Sequence, residues 1–325
     1  MATMAGILLI CLVAACSNGS VTRQPEPGIS FAPAAICPGV DATKMSALYL
    51  SPQGSDDGLC SAGAPCKTIA YALQFADDFG YRALVLQHGL YQTSETIDLK
   101  GGVSLYGSCL FDGEPDRKYR TVIQANPSPG TPAILASGVS VTVSGLVVMG
   151  KDETASASVA MTAANANVTF GRTVLVAGNG GPGAARRPPS PSLAAVRSTG
   201  DRCYTPGGAA GDSLWGQVDL GSFAWVAGIG GAGAGGDVTG PGGVGGQQGG
   251  ASIGLLLVNS TTVTTVPDQF NRIIAGSGGI GGVGQAGPSF GLGGGANSGG
   301  AGGNGGPSIG VASIHSGGVP NGGFY

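Results

Sequence analysis

Charge is scarce in this chain. Only 10% of its 325 residues are Asp, Glu, Lys or Arg, and 15 basic side chains stand against 18 acidic ones. Nucleic-acid binding draws on clustered Lys and Arg that neutralise phosphates, so no nucleic-acid partner is expected. Histidine is scarcer still. His88 and His315 are the only two, and neither stands near a cysteine cluster, which leaves a zinc site short of ligands. His88, in "LQHGLY", has no Ser or Asp beside it that would make a triad and reads as a turn residue. No catalytic residue, metal or cofactor is assigned. Long apolar runs are also lacking: the stretch from Ala5 to Ala15 is too short to span a bilayer as a helix.

What is abundant is glycine, with 64 Gly and 20 Pro. Such a composition without a collagen period usually marks low complexity. Yet 42% of the residues are hydrophobic, many of them Val, Ile and Ala in short runs, and the chain is not highly charged. It therefore has the material for a core, unlike a disordered chain.

The N-terminus carries an address. The run Ala5 to Ala15 has the length of a signal h-region, although no Lys or Arg precedes it. It ends in "LVAAC", where Val13, Ala14, Ala15 and Cys16 resemble the lipobox of bacterial lipoproteins. The resemblance implies lipidation at Cys16, a membrane partner through that lipid, and export. Ser17 at the next position resembles lipoproteins sent to the outer membrane or cell surface. Residues 1–15 are then the signal peptide. Residues 16–45 read as a polar, Pro-containing tether.

Cysteine usage agrees with export. Cys60 and Cys66 stand six apart across a Gly/Pro loop in "GLCSAGAPCKTI", a spacing that an oxidising compartment would close into a disulfide. Cys37 with Cys109 is one further pairing, with Cys203 left free.

Residues 46–325 read as one domain. Its start, "LYLSPQGSDDGLCSAGAPCKTIAYALQFA" followed by "ALVLQHGLYQTSETIDLKGGVSLYG", resembles the opening of right-handed parallel β-helix proteins of the pectin-lyase-like class. The matches are Tyr49–Leu50, Gly54 to Asp57, Pro65 to Ile69, Leu84 to Leu86, Gly89 to Tyr91 and Gly102 to Gly107. The resemblance implies an all-β fold, a right-handed parallel β-helix with an N-terminal capping helix. The residues agree: Thr68 can cap a helix whose apolar positions Ile69, Ala72, Leu73 and Ala76 recur at helical spacing.

Repeats follow. "SVAMTAANANVTFGRTVLVAGNGG" (158–181) and "SIGLLLVNSTTVTTVPDQFNRIIAGSGG" (252–279) share an apolar strand, a Ser/Asn corner, a second strand and "AGxGG", and a third copy begins at Ser308. Such units bury their faces only when stacked on neighbours. The Gly-rich insertions, near 178–250 and 276–307, therefore fall at one corner of the stack. Flexible, outward-facing loops are the expectation for them, because glycine is costly to order and brings no side chain to bury. The alternative is packed polyproline-II-like glycine helices, which need close backbone approach. Recurrent calcium repeats are excluded, since "GGAGGDVTG" is the only tract with a suitably placed aspartate.

Function divides between display and catalysis. The class resembled includes polysaccharide lyases and glycoside hydrolases, whose chemistry needs paired carboxylates, or carboxylate-bound calcium with a basic Arg or Lys, on adjacent coils. Acids are nearly absent from the repeat strands, while "FDGEPDRKYR" gathers Asp112, Glu114 and Asp116 in a turn, with a smaller group at Lys151, Asp152 and Glu153. The expectation is a non-catalytic envelope or cell-surface protein for surface display, adhesion or binding of a glycan or envelope component. A pectin-lyase-like lyase or hydrolase is the alternative. Asp112 and Asp116, with Trp215 and Trp225 as ring-stacking aromatics, are the candidate ligand contacts.

Overall fold

Side chains alternate across a strand, so a short run of Val, Ile and Leu can put one face into a core while its neighbours point outward. The computed structural model of this chain describes residues 46–109, 120–184, 217–219, 224–226, 246–264, 271–284 and 303–314. In chain order it begins with β1 (Ala47–Leu50) and helix α1 (Ile69–Phe79). There follow β2 (Ala83–Gln87), β3 (Gly89–Thr93), β4 (Ile97–Asp98), β5 (Ser104–Cys109), β6 (Thr121–Ala125) and β7 (Pro132–Ser137). Next come β8 (Ser140–Ser144), β9 (Leu146–Met149), β10 (Ser158–Ala164), β11 (Asn167–Gly171) and β12 (Val174–Val176). The last are β13 (Gln217–Asp219), β14 (Ala224–Val226), β15 (Ser252–Val258), β16 (Thr261–Thr264), β17 (Arg272–Ile274) and β18 (Ser308–Ile314).

The fold is all-β, built on three sheets of parallel strands, with β13 and β14 as a separate antiparallel pair. The first sheet runs β1-β2-β5-β8-β11-β16, the second β4-β7-β10-β15-β18 and the third β3-β6-β9-β12-β17. From β2 onward the chain visits the first, third and second sheets in unchanging rotation, interrupted by β13 and β14. The repeats seen in the sequence coincide in space: Ser158, Ser252 and Ser308 are register partners at the start of β10, β15 and β18.

Each sheet sends one row of side chains inward. Leu48, Leu84, Leu105, Val143 and Phe170 are successive partners across the first sheet. Ile97, Ile134, Met161 and Leu255 line up across the second. Tyr91, Ile123, Val148 and Leu175 do so across the third. All of these are buried in one cluster. Full burial of such side chains contributes roughly 1.5–3 kcal/mol each, which makes this column the main source of stability.

One end of the column is closed by α1. The Thr68 hydroxyl accepts from Tyr71 N at 3.3 Å, and Gly80, at φ 76°, ends the helix in the left-handed conformation that glycine adopts without strain. Ile69, Ala72 and Ala76 enter the common core, and Leu73 packs against it. Asp56 holds the helix start by accepting from Lys67 N (2.8 Å), Thr68 N (2.9 Å) and the Thr68 hydroxyl (2.7 Å). A disulfide joins Cys60 to Cys66, with Cα atoms 4.6 Å apart. Cys109 is also disulfide-bonded, while Cys37 and Cys203 lie outside the described residues.

The glycine tracts correct an expectation. Where described, they are packed structure and not flexible outward loops. The segments 178–184 and 276–284 leave β12 and β17, and 246–251 and 303–307 lead into β15 and β18. Gln247 and Gly250 donate their N–H groups to Ala184 and Gly181 carbonyls; Gly279 and Gly282 donate to Gly250 and Gln247; Gly303 and Gly306 donate to Gly282 and Gly279. Gly180 and Gly183 donate in turn to Ser277 and Ile280. Donors three residues apart thus return to the same neighbour, the repeat of an extended helix with three residues per turn. Descending acceptor numbers show that 246–251 runs antiparallel to both 178–184 and 276–284. Glycine is required by contact: a Cβ on Gly250 would overlap the Ser156 carbonyl oxygen, and one on Gly279 the Gly181 carbonyl oxygen. The interstrand hydrogen bonds offset the ordering entropy that had argued for loops.

Candidate functional site

Outward from the third sheet, the positions flanking the core row form rows of their own. Gln92, Gln124, Met149 and Val176 are successive register partners on β3, β6, β9 and β12. Gln92 Nε2 donates to Gln124 Oε1 at 3.1 Å, so the two amides are held as a pair across neighbouring strands. Asymmetric pairing of this kind leaves one amide's N–H groups and the other's oxygen facing solvent.

Over this row and the turn that follows each strand lies a groove of about 750 Å³. Its walls comprise Gln92 to Ser94, Gln124 to Asn126, Met149 to Asp152 and Val176 to Asn179. It therefore crosses four strands. At about 4.8 Å between neighbours, the first and last lie roughly 14 Å apart.

The turns are tied to one another by side chains. Asn179 N donates to Asp152 Oδ1 at 2.6 Å, and Ser277 N donates to Asn179 Oδ1 at 2.8 Å, so each turn's polar side chain fixes the backbone of the next. Lys151 Nζ donates to the Pro127 carbonyl at 2.9 Å and stands 3.8 Å from Glu153 Oε1. Glu153 is buried and accepts from the Ser156 hydroxyl at 2.8 Å. Of the charged cluster noted in the sequence, Asp152 is left exposed and is the only carboxylate among the described residues of the groove, beside a lysine already engaged by two oxygens.

A half-polar trough whose wall passes from the Gln92 and Gln124 amides to Met149 and Val176, with Ala125 and Ala177 beside them, can hold an extended ligand that has hydroxyl edges and an apolar face. Paired-carboxylate hydrolysis needs two acids facing each other across the bond to be cut, and the described residues of this lining supply one. Among the described residues, no three His, Cys, Asp or Glu side chains converge to hold a metal ion. No described helix is long and apolar enough to cross a membrane.

The residues singled out from the sequence fare unevenly. Cys60 and Cys66 are joined beside the start of α1, at the capped end of the column and remote in sequence from the groove. Cys16, Asp112, Asp116 and Trp215 lie outside the described residues. Trp225 is described by its backbone alone, on β14 opposite Val218. The groove residues Gln92, Gln124, Asn126 and Asn179 were not singled out. Their signal was present in "LYQT" and "VIQA", where Gln follows an apolar residue at the same offset in β3 and β6.

Comparison with protein-family models, curated proteins and solved structures found no match to this chain.

Proposed function

We propose that this protein is a right-handed parallel β-helix, exported and lipid-anchored at Cys16, that binds a glycan or other extended envelope component in the groove along its third sheet and does not cleave it. The rotation of the chain through three parallel sheets supports the coiled reading, as does the resemblance of the quoted opening segment to the start of pectin-lyase-like proteins. The observation that carries the function is the groove itself. It crosses four strands in register, with the paired Gln92 and Gln124 amides followed in the same row by Met149 and Val176, a shape suited to a linear polymer and ill-suited to a compact small molecule.

Binding is tested with the chain from residue 17 onward, which keeps Cys37, against immobilised cell-envelope polysaccharides. Replacing Gln92 and Gln124 together by Ala should weaken retention at least tenfold while leaving the β-sheet circular dichroism unchanged, because both side chains are exposed. Retention that survives this double substitution overturns the groove as the site. Product formation that vanishes on Asp152→Asn would instead make the protein an enzyme. For the anchor, Cys16→Ala should release the full chain from the membrane fraction.

A further inference from the structure

We propose that the groove's ligand is a neutral linear polysaccharide, and that uronic-acid polymers are rejected. This rests on the glycan-binding reading above and narrows it to a chemical class. A uronan carries one carboxylate on every sugar. Four strands' length of it would bring several negative charges into the groove, each needing a cation or a set of fixed donors once water is displaced. Among the described residues the lining offers one cation, Lys151, and that ammonium is already committed to the Pro127 carbonyl at 2.9 Å and to Glu153 at 3.8 Å. Its immediate neighbour Asp152 is exposed and adds a negative charge at the same turn. The calcium bridge that would let acids bind acids has no described set of converging ligands.

A neutral pyranose chain meets no such opposition. Its ring faces are apolar and match the Met149 and Val176 stretch of the wall, and its hydroxyl edges meet donors and acceptors on Gln92, Gln124 and Asn126. The two amides repeat at the strand spacing of about 4.8 Å on β3 and β6, and Met149 and Val176 continue the same row on β9 and β12, so hydroxyl and ring-face contacts succeed one another along a polymer. The charge pattern decides between the two polymers; the shape alone suits both.

The test uses one backbone in two charge states. Pectate and alginate, and the same two polymers after chemical reduction of their carboxyl groups to neutral hexose units, are offered alongside mannan and xylan to the chain from residue 17 onward in affinity electrophoresis at low and high salt. At least one neutral polymer should retard the protein, independently of salt, and any backbone that binds after reduction should bind at least tenfold more weakly in its acidic form. Acidic polymers that bind as well as or better than their reduced forms, with retardation lost in high salt or on Lys151→Gln, would overturn the neutral-ligand proposal and leave glycan binding standing. Retardation by no polymer in the set would overturn both.

Discussion

At the residue scale, two kinds of position carry weight out of proportion to their size. The first is glycine whose missing side chain is a contact. Gly250 is buried where a Cβ would overlap the Ser156 carbonyl oxygen, whereas at Gly305 the nearest atom to an added Cβ is 3.6 Å away, an ordinary separation. Gly250→Val should therefore cost several kcal/mol and lower the melting temperature by several degrees, and Gly305→Ala should stay within about 0.5 kcal/mol of the parent. Equal melting curves for the two variants would mean that the tracts are not packed. The second is Asp56. Burial pushes its carboxyl up, but the hydrogen bonds from Thr68 and Lys67, with the Lys67 charge, outweigh that and hold it below its ordinary value. A carboxyl whose folded pKa is depressed contributes stability above its unfolded pKa and loses it as pH falls through the folded one. The melting-temperature gap between the parent and Asp56→Asn should be full at pH 7 and shrink progressively below about pH 4. A gap unchanged down to pH 2.5 would show that the carboxylate's charge does not support the helix start.

At the element scale, the glycine tracts are the outcome that sequence reasoning ranked second. A three-residue helix of glycine has no hydrogen bonds of its own and is unstable alone, so local propensity argues for a loop. What stabilises it is a neighbour at contact distance on several sides, and β12, β15, β17 and β18 deliver the ends of the tracts to the same corner. The side chains that do occur fall where the bundle leaves room: Ile280 and Val283, three residues apart, are 76% and 73% exposed. Deleting 281–303 would be nearly neutral for a flexible loop, since closure entropy changes by only about 1 kcal/mol. Here it removes the bonds from Gly282 to Gln247 and from Gly303 to Gly282. The deletion should destabilise the protein by at least ~2 kcal/mol, read from chemical denaturation. A midpoint that does not move would restore the loop reading.

At the scale of the whole molecule, stability rests on three inward rows meeting in one column. Val168, 1% exposed between Val141 and Thr262 in the first sheet, belongs to it. Val168→Asp buries a charge with no partner and should cost several kcal/mol, enough to prevent expression as a folded protein or to lower its melting temperature sharply. Near-parental melting would place the core elsewhere. The parts of this architecture that depend on neighbours in sequence were legible beforehand. Hydrophobic alternation marks strands, Thr68 with Ile69, Ala72 and Ala76 marks a capped helix, and the recurrence of "AGxGG" after similar strands marks units that stack. These signals are local or periodic, so one chain read alone reveals them. The groove and the glycine bundle are different in kind. Gln92, Gln124 and Met149 become one wall only because parallel pairing sets residues 25 to 32 positions apart side by side. Gly181 and Gly250 touch only because two circuits of the sheets end at one corner. Sequence composition determined that the chain would build a strand-rich repeat with glycine at its turns; which of those glycines would be structure and which side chains would share a surface was decided by the strand register, because contact between distant segments is a property of their placement and not of either segment.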